Sequence, residues 1–164
     1  MELDITIAEI KQICGLKELK SDDLFTSKMI IINQRIKEIS QIRFYNQLVN
    51  KKAKELVVSS FKTAFAYLIY AECLDFLNTN TIGNGIIKST GFADSRTELI
   101  SSNETEQRRN KLEFMAYHTL KNYLNPAGLK RYRDLKLWDD LQKTDDQNAK
   151  RLIIPKARTR MALI

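Results

Sequence analysis

The stretch from about Lys51 to Leu77 constrains the fold more than any other part of this chain. One apolar stripe runs Val57, Phe61, Ala64, Leu68 and Ala71, and a second runs Phe65, Ile69, Cys73 and Phe76. Tyr67, Tyr70 and Leu74 fall between them, so the second half of this predicted helix is apolar nearly all round. A helix of that kind is surrounded by protein on several sides. In a domain this small its own core is expected to fall short, with a neighbouring subunit as the supplement. The longest unbroken apolar run, Ala64 to Ala71, is eight residues, well short of the roughly 20 that a membrane-crossing helix needs.

The rest of the pattern is helical too. Five glycines and two prolines in 164 residues are too few for a turn-rich β-sandwich. Thr6 and Glu9 have capping-box spacing, opening a short helix that Gly15 is suited to stop. Ser21-Asp22-Asp23 can cap a second helix, along which Met29, Ile32, Ile36 and Ile39 recur on one face. Residues 43–50 lose clear periodicity, which predicts a bend. Asn78 to Thr81 break the long helix, and residues 82–92 hold three of the five glycines among short β-branched runs. That stretch reads as a hairpin or extended arm.

Ser101 and Glu104 form another capping-box pair, predicting a helix to Leu124. Its faces are Leu112, Met115, Thr119 and Tyr123 on one side and Phe114, Tyr117 and Leu124 on another. Asn125-Pro126 then ends it and starts a last amphipathic helix through Leu129, Tyr132, Leu135, Trp138 and Leu141. The expected fold is mainly α: a small bundle of long antiparallel helices, a short hairpin or extended arm at about 80–100, and a C-terminal tail. The helical domain is expected over 1–142 and a basic tail or docking arm over 143–164.

Charge is distributed in blocks. The chain carries net +7, with residues 25–62 at +6 and 106–164 at +7 against acidic segments elsewhere. Such blocks serve phosphate backbones, solvated helix faces or docking on acidic protein surfaces, and charge alone does not choose among them. The N-terminus, Met1-Glu2-Leu3-Asp4, lacks the basic flank and apolar stretch of a signal peptide. An intracellular, soluble chain is expected, with Cys14 and Cys73 as buried free thiols.

The sequence predicts no catalytic, metal or cofactor site. His118 is the single histidine, and no nucleophile or orienting carboxylate is spaced beside it. Gly83 to Ser89 resembles a phosphate loop only superficially, since Lys88 is not preceded by glycine. Asp139-Asp140 and Asp145-Asp146 lack the alternating oxygens and central glycine of a calcium loop. The expectation is therefore a protein that is not an enzyme.

The order of elements resembles the head–tail connector (adaptor) proteins of tailed bacteriophages. It is carried by Thr6-Ile7-Ala8-Glu9-Ile10-Lys11, the helix Phe61 to Leu77, Thr81 to Ile87, and Glu104 to Leu124. The resemblance spans most of residues 1–142 and is one of pattern; the tail from Lys143 to Ile164 is longer than it would suggest. It implies a structural virion subunit at the head–tail junction, made in the host cytoplasm. Roughly twelve copies would close a ring that joins the portal protein to tail or further ring proteins and lets double-stranded DNA pass. On that reading Phe65, Ile69, Phe76, Ile86 and Ile87 are expected at subunit contacts. Arg151, Ile153, Ile154, Lys156, Arg158 and Arg160 would form the docking tail. The competing reading is a non-enzymatic helical nucleic-acid-binding protein that uses its basic faces.

Overall fold

The computed structural model describes residues 3–16, 22–79, 87–89, 97–99 and 102–152. It is mainly helical. Six helices run in the order α1 (Ile7–Cys14), α2 (Asp22–Ile39), α3 (Ile42–Val49), α4 (Glu55–Thr79), α5 (Ser102–Thr119) and α6 (Pro126–Leu152). Between α4 and α5, β1 (Ile87–Ser89) pairs antiparallel with β2 (Thr97–Leu99), placing Ile87 opposite Leu99 and Lys88 opposite Glu98.

The helix ends follow from local chemistry. The Thr6 hydroxyl accepts from the Glu9 backbone N–H at 3.2 Å, while the Glu9 carboxylate accepts from the Thr6 N–H at 2.8 Å. Two otherwise orphaned donors are thereby satisfied. Gly15 closes α1 in a left-handed conformation at φ +71°. At the start of α6 the Asn125 side chain accepts from the Gly128 N–H at 2.9 Å, and Pro126 takes the first helical position.

The helix α4 is the hub, packing against α1, α2, α3 and α5. From Phe61 to Leu74 no residue is exposed, and Phe61, Phe65, Leu68 and Ile69 are wholly buried. Its segment Glu55–Leu74 has the length and hydropathy to cross a membrane; here the other helices pack around it. The chain's own helices thus cover the side of α4 that carries Phe65 and Ile69, while Tyr67 and Tyr70 stay half-buried. From α2, Phe25, Ile32, Ile36 and Ile39 complete this core.

The helix α6 packs on α5 and on α2. The junction between α2 and α3 is stitched to the junction between α5 and α6. Gln41 N–H donates to Tyr123 O at 2.8 Å, and Asn125 N–H donates to Ile39 O at 2.9 Å. Asn125 Nδ2 also donates to Glu38 O at 2.6 Å, and Gln41 Nε2 to Leu124 O at 3.1 Å. Gly128 lies so close that an added Cβ would stand 2.5 Å from Ile39 O. Only glycine lets α6 approach α2 this closely.

Four expectations are corrected. Met115 is partly exposed, and α5 stops at Thr119 and not at Leu124, its buried residues being Thr105, Glu113, Ala116 and Tyr117. Two buried polar residues hid its inner face from a count of apolar positions. Leu141 is 57% exposed. The spacing 129, 132, 135, 138, 141 repeats every three residues, whereas a helix turns once in 3.6, so the stripe rotates out of the core. Asp139 and Gln142 turn inward in its place. Finally, α6 continues unbroken across 142–143 to Leu152, so the drop in hydrophobicity at Lys143 marks no helix boundary. Residues 143–152 contain neither glycine nor proline to stop it.

Candidate functional site

A charged cluster crosses the bundle where four helices meet. Glu113 on α5, with 7% of its side chain exposed, binds Arg35 of α2 at 3.0 Å and Arg131 of α6 at 2.8 Å. Arg35 also reaches Glu72 of α4 at 3.3 Å, and its guanidinium stands 5.9 Å from the centroid of the Tyr117 ring. Burial alone would push the Glu113 carboxyl up. The Arg35 charge and the hydrogen bonds from Arg131 and Arg35 outweigh that and hold it below the usual carboxylate value. Burial likewise works against the Arg35 charge, and Glu113 restores it. Every charge here is answered, so the cluster is a clamp between helices, with no group left poised to attack or to accept a proton. The sequence signal for it was a carboxylate set between Leu112 and Phe114 on a helix.

Two of the grooves among the described residues are lined by charged side chains. One, of about 370 Å³, lies between α1 and α4 and is lined by Glu9, Gln12, Ile13, Val58 and Lys62, among others. Glu9 is held there below its usual value, chiefly by the Lys62 ammonium 2.6 Å away and then by the Thr6 backbone N–H. The other, of about 350 Å³, lies between α5 and α6, with Arg108, Lys111, Trp138 and Lys143 in its walls. Neither groove includes the histidine. His118 is exposed, its Nδ1 3.0 Å from the Tyr132 hydroxyl and its ring beside Phe114 and Tyr132.

Among the described residues no group of histidine, cysteine, aspartate or glutamate side chains could hold a metal ion. Cys14 and Cys73 are free thiols. Burial, and then the neighbouring Cys73, pushes Cys14 up to about 12, while burial pushes Cys73 up to about 11. Both are therefore protonated and poorly nucleophilic.

The exposed large apolar side chains lie on separate elements. Leu137 and Leu141, 64% and 57% exposed, stand one turn apart on the outer side of α6. Leu56 is 74% exposed near the start of α4, and Thr63, Tyr67 and Tyr70 follow it along the same side, half-buried. Ile30 and Ile31 are exposed on α2, and Ile42 at the start of α3. Leu137 was missed in the sequence because it falls between the members of the Leu135–Trp138 stripe.

Of the residues expected at subunit contacts, Phe65 and Ile69 are wholly buried in the chain's own core. In this fold they have no surface to offer a neighbour, because other helices of the same chain cover the side of α4 on which they lie. Phe76 lies on α4 with its side chain outside the described residues, and the same holds for Ile87 on β1. Ile86 is itself outside them. Arg151 lies in the last turn of α6, its side chain likewise not described, and Ile153, Ile154, Lys156, Arg158 and Arg160 fall outside the described residues.

Comparison with known proteins returns nothing: no family model, no curated protein and no solved structure matches this chain.

Proposed function

We propose that the chain is a structural subunit that associates head to tail into a ring, in the manner of the phage head–tail connectors it resembles in pattern. One observation carries this reading. Among the described residues, exposed large apolar side chains lie on unlike surfaces, Leu137 and Leu141 on α6 and Leu56 on α4, where half-buried Tyr67 and Tyr70 follow it along the same side. A two-fold dimer needs one self-complementary patch, whereas a ring needs two different patches that fit each other. Large exposed apolar side chains on a small helical protein commonly mark contact surfaces. In such a ring the portal and tail components are the partners above and below, and DNA passes through the centre. The segment between α4 and α5 would then be an arm and the chain end a docking tail, at the head–tail junction of a virion.

The test is assembly. Native mass spectrometry across a concentration series, with negative-stain images of the largest species, should give closed rings. Replacing Leu137 and Leu141 together by glutamate should abolish them while the melting temperature stays unchanged, since neither side chain is in the core. Persistence of the rings in that variant would sink the assignment of α6 to the contact.

A further inference from the structure

Residues 42–54, which form α3 and the turn into α4, contain four cations and no carboxylate. The inner face of α3 carries Phe44, Tyr45, Leu48 and Val49 against the core. Its outer face presents Arg43, Asn46, Gln47 and Asn50, all exposed, and the turn adds exposed Lys51, Lys52 and Lys54. The α5–α6 turn lies alongside, since Tyr123 packs edge-on against Phe44 at 4.9 Å and accepts the Gln41 N–H. That places exposed Lys121 and Asn122 at the same end of the bundle, together with Lys37 from the last turn of α2. The facing acids are Glu38, which accepts from Gln34 at 2.8 Å, and Glu55 at the start of α4. None of Lys37, Arg43, Lys51, Lys52, Lys54 or Lys121 forms an ion pair among the described residues, in contrast to Lys11, Arg35, Lys62, Arg131 and Lys143.

The backbone adds a second, independent observation. Lys51 stands at φ +54°, the single non-glycine residue at positive φ among those described. The left-handed region costs an ordinary side chain roughly 1–2 kcal/mol, and helix ends normally give this position to glycine. Here a lysine occupies it, which holds its side chain on the outer rim of the turn. Conformational cost accepted at an exposed residue is a pointer to use rather than to stability.

We infer that this end of the bundle binds the phosphate backbone of nucleic acid, without regard to sequence. Lysine and arginine supply the charge, and the carboxamides of Asn46, Gln47, Asn50 and Asn122 supply neutral donors for phosphate and sugar oxygens. The apolar groups exposed nearest to this surface are Ile42 on α3 and Leu56, which begins the α4 side along which half-buried Tyr67 and Tyr70 run away from this end of the bundle. They form no stripe that could enter a bilayer and no aromatic anchor of the kind that dominates a protein interface. The inference stands apart from the ring reading, since a monomer presents the same surface.

The test uses the full chain and a fluorescently labelled random-sequence DNA duplex, with binding followed by anisotropy from about 50 to 200 mM salt. Arg43→Ala, Lys52→Ala and Lys54→Ala combined should weaken binding at least tenfold. The same variant should make the slope of log K against log salt shallower by about 3, near the 0.9 expected for each phosphate that is no longer neutralised. A matched control, Lys130→Ala, Arg133→Ala and Lys136→Ala on α6, should stay within about twofold of the parent, apart from the non-specific loss of net charge. Circular dichroism melts check that both variants fold. Equal loss in the two variants would reduce the effect to net charge and overturn the site. So would tighter binding to polyglutamate or to phosphatidylserine vesicles than to the duplex, or no duplex binding at the lowest salt.

Discussion

Lys51 closes α3 with the same pair of backbone hydrogen bonds with which Gly15 closes α1. In α1, Gly15 N–H donates to Gln12 O at 3.3 Å and Leu16 N–H to Lys11 O at 2.8 Å. In α3, Lys51 N–H donates to Leu48 O at 3.0 Å and Lys52 N–H to Gln47 O at 2.8 Å. Both residues are left-handed, at φ +71° and +54°. One chain has thus solved the same geometric problem twice, with the residue suited to it and with one that is not.

Lys51→Gly should therefore stabilise the fold, by about 0.5–1 kcal/mol once the extra freedom of glycine in the unfolded chain is set against the relieved strain. Urea unfolding measures this directly. A lower midpoint at an unchanged slope would mean that the lysine side chain contributes contacts to the folded turn.

Gly128→Ala should act in the opposite direction. The new methyl would meet the Ile39 carbonyl oxygen at 2.5 Å and the Leu124 side chain at 3.0 Å. One of those is backbone held in the stitch between the two junctions, so it cannot simply turn aside. A loss of about 1–3 kcal/mol is expected, and a melting temperature within a degree of the parent would show the junction to be looser than described.

Glu113 fixes a pH dependence. Its carboxyl is held below the ordinary value in the folded chain, so the folded state binds this proton less readily than the unfolded state. The stabilisation is present above the unfolded carboxylate value of about 4.3 and is lost as pH falls through the lower folded value. Glu113→Gln should flatten that part of the stability–pH curve. It should also cost about 3 kcal/mol at neutral pH, because Arg35 and Arg131 lose the charge they share. A variant with the parent's acid-limb slope would place the titration elsewhere.

Phe65→Ala tests the position of α4 at the centre. The ring is wholly buried, and its removal should cost about 3–5 kcal/mol. A cost below about 1 kcal/mol, the scale of surface substitutions, would mean that the ring is not enclosed.

Much of this fold was legible in the sequence. Thr6 with Glu9, and Gly15, mark the ends of α1 through chemistry that acts within one turn, and Asn125 with Pro126 opens α6 as expected, although α5 already stops at Thr119 and not at Leu124. The apolar girth of residues 61–74 correctly identified the hub. What covers it was not legible, because the packing of α1, α2 and α5 around Phe65 and Ile69 depends on partners distant in the chain. The same limit hid the Arg35–Glu113–Arg131 clamp, whose members lie on three helices. Leu141 was misplaced for a different reason, since a repeat of three drifts against a helix of 3.6. The left-handed Lys51 carried no signal at all, because nothing in its neighbours announces a position that glycine would normally fill.

The central claim is that unlike surfaces on α4 and α6 close copies of this chain into a ring, and native mass across a concentration series tests it most directly. A population that grows into one closed species of fixed copy number, ring-shaped in negative stain and lost on Leu137→Glu with Leu141→Glu, is the predicted result. A chain that stays monomeric at the highest concentration, or that stops at a two-fold dimer, would contradict it.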